Sequence, residues 1–325
     1  MLETMSLQNV RATSAVDEAQ AASSTIHSSI HSMTGDLKQV LVCSPLQAGW
    51  DLPEKGAAWR ELGFHHALNF GAAQAQHETL CRLLKEAEAE VISLAGSEEF
   101  GAALAFDSLT LDAVYTHDAS VPTDYGLILM RPGKSTRVPE AQVQATRCAS
   151  RGLSILGSIT PPGTTEAGDI VWLDRQTLLV GRGYRTNREG IEQLRALLAP
   201  KGIAVLSAPL PYGPGPSACL HLMSLMSMLD ERTILVDLPW LAVQTVELLR
   251  ERGLNLIEID YSERETLACN VLSLGSKRLI ALEENAKTNR RLREGGFDVR
   301  TFSGSELCIN GSGGPTCLTR PLRRS

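Results

Sequence analysis

Five times along this chain a short β-rich run is followed by an amphipathic helical run and then by a second β-rich run. The runs fall at 40–42, 72–87 and 90–94, then at 127–130, 139–150 and 153–156, then at 178–180, 187–198 and 203–206. Two more copies occupy 234–236, 242–250 and 254–259, and 279–282, 287–294 and 299–302. The later copies recur every roughly 45–55 residues, a period that marks repeated modules. An open sheet of five parallel strands satisfies the alternation. A closed ring of five strand–helix modules satisfies it better. The copies carry extra strands, at 170–173 and 271–274, and closure removes the exposed sheet edges. In such a ring the loops of all copies meet on the axis, so residues distant in sequence converge there.

Residues 36–325 are therefore expected to form one α/β domain. Residues 1–35 are rich in Ser, Ala, Thr and Gln, with a short helix expected at 14–22, and read as a mobile or loosely docked extension. The segment 101–107 is poorly patterned and reads as loop.

Charge and apolar patterning exclude several classes of function. With a net charge of −6 the chain has no basic excess to neutralise a phosphate backbone, so nucleic acid is not an expected partner. The arginines Arg320, Arg323 and Arg324 read as a solvated tail. Apolar runs such as 127–130 are far shorter than the roughly 20 residues of a spanning helix, and Glu3, Arg11, Asp17 and Glu18 interrupt any leader-like core. The expected location is the cytoplasm, without membrane association. No heptad or interface helix is visible, which leaves a homo-oligomer open. The seven cysteines are scattered with no CxxC pair, which argues against zinc-ribbon, thioredoxin and disulfide-framework readings.

Four groups of residues carry chemistry. Cys317 closes the run Gly311, Ser312, Gly313, Gly314, Pro315, Thr316; glycines let a backbone turn sharply and approach a ligand. A presented nucleophile and a buried structural cysteine both fit. His221 is the only histidine of the C-terminal half and, among apolar neighbours, is either a core residue or a general base for Cys317. Asp112 and Asp118 flank one acidic cluster, read as a strand with Asp118 at its end, and Glu166 and Asp169 enter the strand at 170–173. These carboxylates either cap turns or, paired on a cavity floor, match a planar cation such as guanidinium. Arg137 and Arg185 lie in cationic loops and are either solvated or able to grip a carboxylate bidentately.

The whole string is more specific than its parts. Asp112 and Asp118 are followed by Arg-Pro-Gly at 131–133 with Arg137, and by Glu-Ala-Gly-Asp at 166–169. Then come Arg-Thr-Asn at 185–187, His-Leu-x-Ser at 221–224, Ala-Cys-Asn at 268–270 and Gly-Gly-x-x-Cys at 313–317. In this order the chain resembles the guanidine-modifying (amidinotransferase/deiminase) superfamily and is most similar to its dimethylarginine dimethylaminohydrolase (dimethylargininase) branch. The resemblance covers essentially everything after residue 36. It implies a five-bladed α/β propeller, the pentein fold, in agreement with the five copies.

The resemblance also implies roles. Cys317 is the nucleophile and His221 the general acid/base. Asp118 and Glu166 hold the guanidinium, Asp112 contacts substrate, and Arg137 and Arg185 anchor an α-carboxylate. No metal or organic cofactor is implied; the expected partner is a small guanidino amino acid, with methylated arginine giving citrulline and an alkylamine. Two positions depart from the pattern. His117, counted among the substrate-binding positions, stands where dimethylargininases tend to have Glu and arginine deiminases Arg. Met223 stands where arginine deiminases have a second guanidinium-holding Asp. The alternatives are an amidinotransferase, another guanidino or ureido hydrolase, and a non-catalytic binding protein on the same scaffold.

Overall fold

The computed structural model describes residues 31–95 and 108–325. The helix expected at 14–22 and the loop at 101–107 lie outside the described residues. Chain order begins with strand β1 (Leu37–Val42), helix α1 (Phe70–Glu86) and β2 (Glu90–Ser93). It continues through β3 (Ser120–Thr123), β4 (Gly126–Leu129), α2 (Val138–Ala149) and β5 (Ile155–Ser158). The third module is β6 (Ile170–Asp174), β7 (Thr177–Arg182), α3 (Arg188–Leu198) and β8 (Ala204–Pro209). The fourth is β9 (Met226–Met228), β10 (Thr233–Val236), α4 (Val243–Glu251) and β11 (Asn255–Glu258). The last is β12 (Leu272–Gly275), β13 (Arg278–Leu282), α5 (Ala286–Glu294) and β14 (Asp298–Phe302), followed by β15 (Arg320–Arg324).

These strands form five three-stranded sheets, the blades of an α/β propeller. In each blade an inner strand pairs antiparallel with the middle strand. The chain then crosses through a helix and returns as an outer strand parallel to the middle one. A parallel pair needs such a crossover. The middle strands are covered on both faces, which is why 178–180, 234–236 and 279–282 read as unbroken apolar runs. Helix starts follow local chemistry: Asn69 accepts from the Ala72 N–H and Asn187 from the Gly190 N–H.

Four blades take their inner strand from the residues just ahead of the middle one. The first takes β15 from the C-terminal end, paired antiparallel with β1. The tract expected to be a solvated tail is thus the strand that closes the ring. Arg320, Leu322 and Arg324 are buried, and only Arg323 points outward. Composition had hidden this because three arginines resemble a tail, whereas pairing alternates their faces. Of the span 1–35, residues 31–35 are described. His31 is buried against Trp172, ring centroids 4.6 Å apart, and accepts from the Asp124 N–H.

Candidate active site

The segments just ahead of the inner strands meet at one end of the axis. Asp118 precedes β3, Glu166 and Gly168 precede β6, His221 precedes β9, Asn270 precedes β12 and Cys317 precedes β15. Each blade contributes a residue from the same place in its module. The expected strand around Asp112 to Asp118 is instead two turns of 3-10 helix, at Leu111–Val114 and Thr116–Ala119. That coil carries Asp118 inward just before extended pairing begins.

Asp118, Glu166 and His221 are all buried, and one donor or acceptor atom from each lies within 4.8 Å of the other two. A divalent cation would accept the same spacing. Glu166 Oε2 lies 2.6 Å from His221 Nε2, and its Oε1 accepts from the Gly133 N–H at 2.9 Å and from Arg185 Nη1 at 3.3 Å. Asp118 Oδ1 accepts from the Gly168 N–H at 2.9 Å and lies 4.0 Å from His221 Nδ1. Burial alone would raise the Asp118 pKa. His221, Arg137 and His117 outweigh it and hold the carboxyl well below the usual range. Burial likewise opposes charge on His221, but Cys219, Asp118 and Asp169 hold its pKa well above that of free imidazole.

Close backbone approach is built into this corner. A Cβ on Gly168 would lie 2.5 Å from His221 Nδ1 and 2.9 Å from Asp118 Oδ1, so only glycine fits beneath the imidazole. A Cβ on Gly314 would lie 2.6 Å from Asn270 Cγ, which explains the second glycine of the Gly-Gly-x-x-Cys string.

Cys317 is partly exposed, and its Sγ accepts from Asn270 Nδ2 at 3.0 Å. Asn270 Oδ1 accepts from the Thr316 N–H, so one amide side chain fixes both the turn and the sulfur. Burial, with Asp118 adding to it, pushes the Cys317 thiol up to about 12, while His221 pulls the other way. The sulfur is therefore a thiol at neutral pH until positive charge arrives.

Several candidate residues sit elsewhere or act otherwise than expected. Arg137, expected to anchor a substrate carboxylate, is fully enclosed. Its Nη1 donates to Asp118 Oδ2 at 2.6 Å, its Nε and Nη2 donate to Glu140, and Nη2 also reaches the Tyr115 carbonyl. With those donors engaged in protein contacts, its role here is to charge and orient Asp118. Asp112 is tied to Lys134 Nζ at 2.5 Å, which also donates to the Leu62 carbonyl. His117, expected to bind substrate, is instead engaged by the C-terminal strand. Its Nδ1 lies 2.9 Å from the Thr319 carbonyl oxygen, its ring lies against Arg320, and burial with that cation pushes it down to about 3. Its backbone N–H donates to the Cys317 carbonyl at 3.1 Å. Among the described residues the Arg185 side chain makes one hydrogen bond, at 3.3 Å to Glu166, which leaves most of its donors unengaged there. Met223 is buried among apolar neighbours and offers no charge.

Two contributors escaped the sequence reading as site residues: Asn270 stood in the Ala-Cys-Asn string without a role, and Glu140 lay inside a helix. Asp169, open in the sequence as a turn cap or as one of a cation-matching pair, serves a turn. Asp169 Oδ1 accepts from the Leu222 N–H at 2.9 Å and steers the turn after His221. Burial pushes its pKa up to about 6. Cys219 is exposed, with its sulfur 3.8 Å from His221 Nδ1.

Comparison with known proteins adds a second line of observation. Residues 111–241 and 239–324 match the family model described as arginine deiminase. The chain is 30% identical over 222 residues to an N(G),N(G)-dimethylarginine dimethylaminohydrolase of Streptomyces coelicolor, covering 65% of this chain and 75% of that protein. Its counterpart in Pseudomonas aeruginosa is 25% identical over 77% of this chain and 89% of that one. An arginine deiminase of Mycobacterium avium is 29% identical over 49% of this chain and 46% of its own length. Among solved structures, the Pseudomonas aeruginosa enzyme in a cysteine-to-serine form complexed with citrulline superposes with a TM-score of 0.68 at 23% identity. That match spans 89% of this chain and 99% of the other. The N-terminal domain of a cyanobacterial arginine dihydrolase superposes with a TM-score of 0.71 at 20% identity, over 88% and 97%. These structures share the five-bladed fold.

Proposed function

The chain belongs to the arginine deiminase family of guanidine-modifying enzymes, and we propose that it hydrolyses an N-methylated arginine to citrulline and an alkylamine through a covalent bond to Cys317. It is a hydrolase of C–N bonds in linear amidines. The observation that carries the finer reading is the convergence of a thiol, an imidazolium and two carboxylates from four different blades.

The steps follow from that geometry. Asp118 and Glu166 pair with the guanidinium N–H groups and orient the carbon for attack; orientation of this kind contributes several kcal/mol. The guanidinium brings a positive charge beside Cys317, which lowers the thiol pKa and releases its proton to solvent. The thiolate attacks the guanidinium carbon. His221, already protonated, gives its proton to the departing amine as the C–N bond breaks, leaving a thiouronium on Cys317. Neutral His221 then takes a proton from water. The hydroxyl adds to the same carbon, the C–S bond breaks, and citrulline leaves with the thiol restored.

Two features support a substituted arginine. Arg185 keeps donors for an α-carboxylate, which favours an amino acid over a decarboxylated guanidine. Met223, buried and uncharged, stands where a further guanidinium-holding Asp would be expected for free arginine, which leaves Asp118 and Glu166 as the paired carboxylates. Purified protein incubated separately with asymmetric dimethylarginine, monomethylarginine, arginine, citrulline and agmatine tests this by mass spectrometry. Citrulline with dimethylamine or methylamine, lost in Cys317→Ser, is the expected result. Citrulline and ammonia from arginine alone overturns the methylated substrate. Ornithine with an amidinated acceptor makes it a transferase, and no turnover with an unreactive Cys317 makes it a binding protein.

A further inference from the structure

Behind the floor of the active site the axis continues as a second, narrow space, lined on its outer side by Arg323. Its roof is His117, Ala167, Met223 and Thr316, neighbours in sequence of the site residues above them. Its walls are the inner strands, and Ser32 and Met33 lie across it. The cavity measures about 40 Å³. A single water needs about 10–15 Å³ by this measure, so the space holds a few atoms and no metabolite.

Its charge is unusual for an acidic protein. Arg320 and Arg324 line it, both buried, and among the described residues its lining holds no Asp or Glu. Arg137 shows how this molecule neutralises a buried guanidinium, with Asp118 and Glu140 in direct contact. Arg320 instead donates to the Ser120 carbonyl and lies against the uncharged His117 ring; Arg324 donates to the Gly35 carbonyl at 2.6 Å. Among the described residues neither meets a carboxylate, and the Nε atom of each is buried with no hydrogen-bond partner. A buried cation left without a counter-charge is costly.

We infer that this axial cavity is a binding site for one small monovalent inorganic anion, of which chloride is the natural occupant, held by Arg320 and Arg324. The anion neutralises the cluster and accepts the donors the protein leaves open. Burial pushes Arg320 down to about 9 and Arg324 to about 10, against the smaller opposing pull of Asp118 on the first and Asp36 on the second, neither of which is in direct contact. Because both arginines lie on the ring-closing strand, the site ties ring closure to anion occupancy. The inference is independent of which substrate the other end of the axis takes.

The test uses the full chain. Its thermal midpoint is measured in sodium chloride and in sodium gluconate at equal ionic strength and pH, gluconate being too large to enter. The expected result is a midpoint on the order of 3 °C higher in chloride, saturating with concentration, and reduced by more than half in Arg324→Gln. Equal midpoints in the two salts overturn the proposal. Should Arg324→Gln and Arg320→Gln both fail to fold, crystals of the unaltered protein soaked in bromide decide. An anomalous peak in the cavity supports the site, and a cavity without one at high bromide overturns it.

Discussion

Glu166 and His221 stand 2.6 Å apart, Oε2 to Nε2, although 54 residues lie between them and each belongs to a different blade. The contact pairs a carboxylate with the imidazole and fixes the orientation of the ring, which places Nδ1 4.0 Å from Asp118 Oδ1. It also makes Glu166 serve two functions, since its other oxygen faces Gly133 and Arg185.

Glu166→Gln keeps the shape and removes the charge. The variant loses about 10²- to 10⁴-fold in kcat, the range of a disabled general acid. The sign of the pH effect follows. Removing a carboxylate from a cationic imidazole lowers its pKa, so the alkaline limb of the kcat profile moves to lower pH. The same shift has a stability counterpart. His221 is raised in the folded protein, so its contribution is full below the ordinary imidazole value and is lost as pH rises through the folded one. Urea titrations across that range measure it.

Gly168→Ala places a methyl group 2.5 Å from His221 Nδ1. The imidazole is pinned by Glu166 and must tilt. Expected is at least a hundredfold fall in kcat/KM with the fold retained by circular dichroism, since the clash is confined to one buried corner.

Arg185→Ala separates recognition from chemistry. Loss of a charged hydrogen bond costs about 1.5–3 kcal/mol. Steady-state kinetics are therefore expected to show KM for an α-amino-acid substrate rising roughly 10- to 150-fold, with kcat changed far less.

The resting thiol at about 12 predicts slow alkylation of free enzyme by neutral iodoacetamide at pH 7, rising about tenfold per pH unit. A positively charged amidine electrophile, which brings its own cation beside Asp118, reacts much faster. Equal rates with the two reagents at pH 7 would show that the thiolate is preformed.

The five-fold repeat was legible because middle strands are buried on both faces and helices on one, so each module prints its period on the sequence. The cluster of Asp118, Glu166, His221 and Cys317 was legible only as a string. Nothing in the spacing of 118, 166, 221 and 317 says that they converge until the ring places the same turn of each blade on the axis. Arg137 was misassigned for a related reason. An arginine in a Pro-Gly loop looks free, and its partners Asp118 and Glu140 are visible only once the 3-10 turn and α2 are packed. The arginines of β15 were misjudged because pairing with β1, almost 300 residues away, is what buries them.

The most direct test of the account is to stop turnover of asymmetric dimethylarginine with acid within milliseconds and weigh the intact protein. The account predicts a species heavier by the substrate less dimethylamine, mapped to the peptide carrying Cys317 and absent in Cys317→Ser. Citrulline production with no adduct at any quench time, together with an active Cys317→Ser variant, would contradict it.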